Sequence, residues 1–168
     1  YKYKNGLNLN LTIGKRKTDI ESINQLKLHF CAFANIQINN RGYVNIKNES
    51  GLLTSKNYLF NELFRIGGAN SIRGYNEQSI FTNGYSYSNV EFRYLLDKSS
   101  YLYSITDLGV YKENTNNKIK KLVGIGAGYQ FRINNNLVNL GYVISTNSDT
   151  KVKFNNSRLI IKWTSFFQ

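Results

Sequence analysis

Apolar and polar residues alternate along most of this chain. In LNLNLTIG (residues 7–14), Leu7, Leu9, Leu11 and Ile13 fall on one face of an extended backbone, and Asn8, Asn10 and Thr12 on the other. QLKLHFCAFANIQIN (25–39) repeats the pattern, with Leu26, Leu28, Phe30, Ala32, Ala34, Ile36 and Ile38 opposite Gln25, Lys27, His29, Asn35 and Gln37. Fully extended, that run reaches about 50 Å at about 3.3 Å per residue, longer than the usual strand of a soluble domain. Further runs at 43–55, 84–97, 101–112, 121–134, 137–146 and 156–167 bring the expected strands to eight. Short connections (39–42, 97–100, 133–136) alternate with long ones (15–24, 56–83, 112–120, 146–153).

Alternation, strand length and unequal connections predict an all-β fold: an eight-stranded antiparallel transmembrane β-barrel occupying residues 1–168 as a single domain. Both termini then lie on the short-turn side, which is the periplasm for a barrel in a bacterial outer membrane. A soluble antiparallel sandwich or lipocalin-like barrel also has period two, but its turns are ordinarily marked by proline, and the chain contains none. No run approaches the roughly 18 apolar residues of a transmembrane helix. Tyr1, Tyr3, Tyr43, Tyr94, Tyr142, Trp163 and Phe167 lie near expected strand ends, where amphipathic rings favour a membrane boundary.

Charge changes the picture little. A net charge of +12 with 13 Tyr and 10 Phe invites a nucleic-acid reading, but the basic residues are scattered, with small clusters at KRK (15–17) and KIKK (118–121) in loop-like segments. Loop-borne charge facing an anionic surface such as lipopolysaccharide is the better fit, and no nucleic-acid partner is expected. His29 is the only histidine and Cys31 the only cysteine. Two ligands fall short of the four of a structural zinc site, and no serine or acid stands in fixed relation to His29 as a nucleophile's base requires. No enzyme, metal or cofactor is expected.

The candidate chemistry is structural and centres on GGANSIRGYNEQ (67–78) in the longest connection. Gly67, Gly68 and Gly74 permit tight turns around Arg73, whose planar guanidinium matches a carboxylate. On the next two strands, parity turns Glu91 and Asp107 away from the apolar face, towards the interior. Gly109, Gly124, Gly126, Gly128 and Gly141 share that inward parity, which either leaves room for a loop tip or relieves strand curvature.

Together these residues resemble the BamA-type superfamily of outer-membrane assembly barrels, the bacterial surface antigen family, which includes TamA and the two-partner secretion transporters. Ile72, Arg73, Gly74 and Tyr75, following Gly67 and Gly68, are similar to that family's Val/Ile-Arg-Gly-Phe/Tyr loop motif, and Asp107 with Gly109 to its Asp-x-Gly strand motif. The resemblance implies a loop folded into the lumen with Arg73 paired to Glu91 and Asp107. It also implies a final strand, with Trp163 and Phe167 outward, of the kind that assembly machinery reads, although Gln168 follows the last aromatic. Family members normally have sixteen strands and periplasmic POTRA domains, so the expectation is a short form lacking POTRA domains, with a paired second copy or the C-terminal half of a larger barrel as alternatives. The implied role is outer-membrane biogenesis in Gram-negative bacteria, assisting insertion of barrel proteins or lipid movement by perturbing the bilayer. The implied partners are outer-membrane lipids, lipopolysaccharide, client barrel proteins and a homodimer mate. A passive structural or adhesive surface barrel is the competing reading.

Overall fold

The computed structural model describes residues 5–17, 21–113, 117–147 and 156–166. Eight long strands form one antiparallel sheet: β1 (Gly6–Lys17), β2 (Ser22–Gln37), β3 (Gly42–Ser55), β6 (Gly84–Leu95), β7 (Tyr101–Lys112), β8 (Ile119–Ile133), β9 (Asn136–Asn147) and β10 (Ser157–Ser165). Each pairs with its sequence neighbours, β3 being joined to β6 across the long connection. Within that connection two short strands missing from the sequence reading, β4 (Phe64–Ile66) and β5 (Ile80–Thr82), form a hairpin stem. Among the described residues no helix is long and apolar enough to cross a membrane.

The two faces of the sheet differ as the alternation dictates. One carries Leu7, Leu9, Leu11 and Ile13 of β1, Leu102 and Leu108 of β7, Ile125 of β8, and Leu159, Ile161 and Trp163 of β10, all exposed to the surroundings. The other carries the polar set and receives the long connection. The core lies between this inner face and the connection: Ile66 and Ile72 pack on Tyr85, Tyr87 and Leu122, with Phe64 and Tyr75 beside them. A second cluster of Tyr101, Tyr103, Ile105 and Val143 fills the turn-side half of the same face.

Among the described residues the sheet is not closed, contrary to the closed eight-stranded barrel expected from the pattern: β1 and β10 are its two edges and do not pair with each other. The physical reason is inside. An eight-stranded barrel has room for little more than its own side chains, and here the connection occupies the inner face from edge to edge. Arg16 of β1 donates to Glu62 Oε1 at 2.6 Å and to the Asn57 carbonyl at 3.2 Å, while Lys162 of β10 donates to Asn70 Oδ1 at 2.9 Å.

Other boundaries also shift. Lys15, Arg16 and Lys17 belong to β1 and Ile119, Lys120 and Lys121 to β8, so neither basic cluster is a loop, because the ladders continue past the apolar band. Tyr43 points to the inner face, as its partner Arg93 does. Tyr1, Tyr3 and Phe167 lie outside the described residues.

The turn-side ends are tied by local side-chain bonds. Asp97 Oδ1 accepts the Ser99 and Ser100 amides at 2.6 and 2.8 Å, and Asp97 Oδ2 accepts the Ser100 hydroxyl at 2.5 Å. These bonds, that of the Ser100 hydroxyl first, hold the carboxyl down at about 2. A depressed carboxylate stabilises the turn above its ordinary value and loses that contribution as pH falls through the lowered one. The Ser99 and Ser100 amide resonances are therefore expected to stay constant from neutral pH to below about 4 and to move only on approaching about 2. Asp97→Asn should make them insensitive to acid throughout.

Candidate functional site

The connection between β3 and β6 turns sharply at three glycines with φ of 107° (Gly67), 105° (Gly68) and 91° (Gly74). These left-handed values strain any side-chain-bearing residue. The Ser71 hydroxyl accepts the Gly67 amide at 2.7 Å and the Ile72 carbonyl accepts the Gly68 amide at 3.1 Å, folding 67–72 into a compact tip. A Cβ on Gly74 would meet the Ser145 side chain at 2.6 Å, so glycine here serves both conformation and close approach.

That tip delivers Arg73 to the acids of β6 and β7. Asp107, fully buried, takes three bonds from it: to Oδ2 from the backbone amide and from Nε, both at 2.8 Å, and to Oδ1 from Nη2 at 2.5 Å. Nη1 bonds Glu91 Oε1, whose other oxygen accepts Arg93 Nε at 2.8 Å and Nη2 at 2.6 Å. Two guanidinium groups thus share two carboxylates, and the cluster is neutral. Burial works against the charge on Arg73, but Asp107 and then Glu91 outweigh it and hold its pKa above the ordinary value. The side-on pair with Asp107 uses the planar fork that lysine lacks.

The neighbouring motif residues anchor the same tip. Ile72 is completely buried against the inner face, its Cδ1 2.9 Å from where a Gly109 Cβ would stand. The Arg73 carbonyl lies 2.5 Å from the Cβ position of Gly124. The Tyr75 hydroxyl donates to the Thr146 carbonyl and accepts the Val123 amide at 3.1 Å, spanning β8 and β9. Burial pushes that phenol up to about 12, so it stays neutral.

The other inward glycines serve different neighbours. Gly128 and Gly141 make room for Tyr103, and Gly126 lets the Tyr142 carbonyl of β9 approach to 2.0 Å from its Cβ position. Trp163 is on the outer face of β10, exposed; Phe167 lies outside the described residues. His29 faces inward, with Nε2 3.3 Å from Glu49 Oε1, in a separate cluster with Lys47 and Tyr85.

Sequence reasoning passed over two groups that hold the tip. Asn89 Nδ2 donates to the Ser71 carbonyl at 2.8 Å, and the Ser145 hydroxyl donates to the Gly74 carbonyl at 2.6 Å. Inward parity on β6 and β9 was the available signal, but an asparagine or serine facing inward is too ordinary to single out.

A family model described as haemolysin secretion/activation protein ShlB/FhaC/HecB matches residues 2–131. The matched stretch contains Arg73, Glu91 and Asp107. No curated protein matches the chain.

Arg73→Ala leaves Asp107 buried without its cation and is expected to lower stability by about 3–5 kcal/mol, the range for breaking a buried pair, read as a fall in the denaturant midpoint of the refolded protein. Arg73→Lys should recover only part of this. Asn89→Ala and Ser145→Ala each remove one bond to the tip, and about 1 kcal/mol is expected from either.

Proposed function

The chain belongs to the haemolysin secretion/activation protein family, ShlB/FhaC/HecB, within the Omp85 superfamily of outer-membrane barrels, and from that premise we propose that it serves outer-membrane biogenesis as a short BamA-like barrel that assists insertion of client barrel proteins. It acts at the seam between its first and last strands, with both termini periplasmic. The observation that carries this reading is the failure of β1 and β10 to pair with each other. In hydrocarbon an unpaired strand edge has no water to satisfy its amides and carbonyls, so each edge is a template for another strand. A client strand arriving at the seam gains main-chain partners before its own barrel is complete. Arg73, Glu91 and Asp107 have no chemistry to perform in this scheme. They lock the loop, which keeps the interior filled and the two edges apart.

A second reading starts from the family description, haemolysin secretion/activation: for this chain it would be passage of a polypeptide through the barrel. The filled inner face argues against it, since eight strands enclose too little space for a passing chain beside the loop. Were the chain the C-terminal half of a sixteen-stranded barrel, that objection would fall away.

Refolded into liposomes, the protein is expected to accelerate insertion of an unfolded eight-stranded client, followed by the client's heat-modifiable band and its protection from protease. Equal insertion rates with and without the protein would sink the reading. Export of a soluble polypeptide into the vesicle lumen would favour the second one.

A further inference from the structure

The outer face is not uniformly apolar. On β2 the outward residues from Leu26 to Ile36 are Leu, Leu, Phe, Ala, Ala and Ile, and on β1 those from Leu7 to Ile13 are Leu, Leu, Leu and Ile. On β3, β6 and β7 the same parity gives Asn48 and Ser50, Ser86 and Ser88, and Ser104 and Thr106. These are interior to the apolar band, not at its rim: Ile46 and Leu52 flank the β3 pair, Leu102 and Leu108 the β7 pair, and Val90 and Phe92 follow the β6 pair. They also connect. Asn48 Nδ2 donates to Ser88 Oγ at 2.9 Å, the Ser50 hydroxyl donates to Ser86 Oγ at 2.8 Å, and Ser104 Oγ accepts the Phe92 amide at 3.0 Å.

Following the register, the polar positions form a diagonal. Lys112 and Lys121 stand at the loop-side end, Lys121 opposite Val110, which is itself opposite Ser86. Ser50, Ser86, Asn48 and Ser88 come next, then Thr106, then Ser104, and the outward Tyr94, opposite Leu102, lies beyond at the turn-side end. The small serine side chains leave a groove beside the upper part of this line, bounded by Ser86, Ser88, Leu108, Val110, Lys121 and Val123.

We propose that this diagonal is a track along which phospholipid headgroups cross the bilayer, so that the protein equilibrates glycerophospholipids between the leaflets. The inference rests on the outer-membrane reading and locates the bilayer perturbation on the outer wall of β3, β6 and β7, away from the seam. A phosphate crossing bare hydrocarbon loses its hydration with nothing in exchange. Here hydroxyl and amide groups on adjacent strands, within reach of one another across the ladder, offer it successive hydrogen bonds while the acyl chains stay in lipid. The lysines at one end gather the anionic headgroup, and no energy source is required because movement runs in both directions.

The test uses the full chain refolded into phosphatidylcholine–phosphatidylglycerol vesicles carrying a trace of fluorescent phospholipid, with dithionite added outside. The wild-type protein is expected to let bleaching proceed beyond the outer leaflet while a trapped soluble dye stays unbleached. Replacing the track by apolar residues (Asn48→Leu, Ser50→Val, Ser86→Val, Ser88→Val, Thr106→Val) should slow that second phase at least tenfold. Should this variant not refold, Ser86→Ala with Ser88→Ala serves instead, with a smaller slowing expected. Thr54→Val, outward on β3 but off the line, should change nothing. A second phase unaltered in the track variant, or bleaching of the trapped dye, overturns the proposal. Client insertion measured in the same vesicles separates the two ideas: lost scrambling with intact insertion supports the track alone, and absent client insertion with intact wild-type scrambling removes only the assembly reading.

Discussion

One guanidinium organises the inner face of this protein. Arg73 brings three donors to Asp107 and one to Glu91, and the tip around it, Ile72 side chain included, can approach only because Gly74, Gly109 and Gly124 leave no side chain in the way. A buried arginine with one carboxylate removed is worse than no pair at all, so the arrangement holds as a unit. The docked tip then fixes where Ile72 and Tyr75 go, and through them the core that Tyr85, Tyr87 and Leu122 complete. Because the same connection touches β1 through Glu62 and β10 through Asn70, its size is felt at both margins of the sheet.

Much of this was legible in the sequence, because a strand has only two faces. Once the alternation through Leu102 and Leu108 was assigned outward, Asp107 had to lie inward, and the same parity set Glu91, Gly109 and Gly124. What parity could not give was the neighbour each inward residue meets. Five glycines looked like one space, yet only Gly109 and Gly124 face the tip, while Gly128 and Gly141 accommodate Tyr103. The hairpin stem of β4 and β5 escaped because three-residue strands leave no period to read. The basic clusters looked like loops because charge marks the end of an apolar band, whereas hydrogen-bonded ladders run on past it. Alternation, with the polar asparagines of β1, allows a weak margin between β1 and β10 but cannot say that it opens, because that depends on how much volume the connection takes up.

The two walls of the sheet therefore divide their work. The inner wall is specified by individual contacts, most of them to groups far away in sequence, and tolerates little change. The outer wall is specified mainly by a requirement for apolar character, and the departures from it on β3, β6 and β7 bond to neighbouring strands instead. Asn48 and Ser88 bond each other at positions where leucines would have continued the apolar band.

The attachment of Tyr75 has a temporal side. Its hydroxyl reaches the carbonyl of Thr146, 71 residues further along the chain, and the carbonyl of Gly74 waits for Ser145 at the same remove. Contacts so distant in sequence form late, after the entropy of closing the intervening chain has been overcome. A growing or threading polypeptide will have laid down β6, β7 and β8 before its own earlier loop can seat on β9. Seating of that loop is thus complete only once the ninth strand has arrived, although Arg73 can meet Glu91 and Asp107 as soon as β6 and β7 stand.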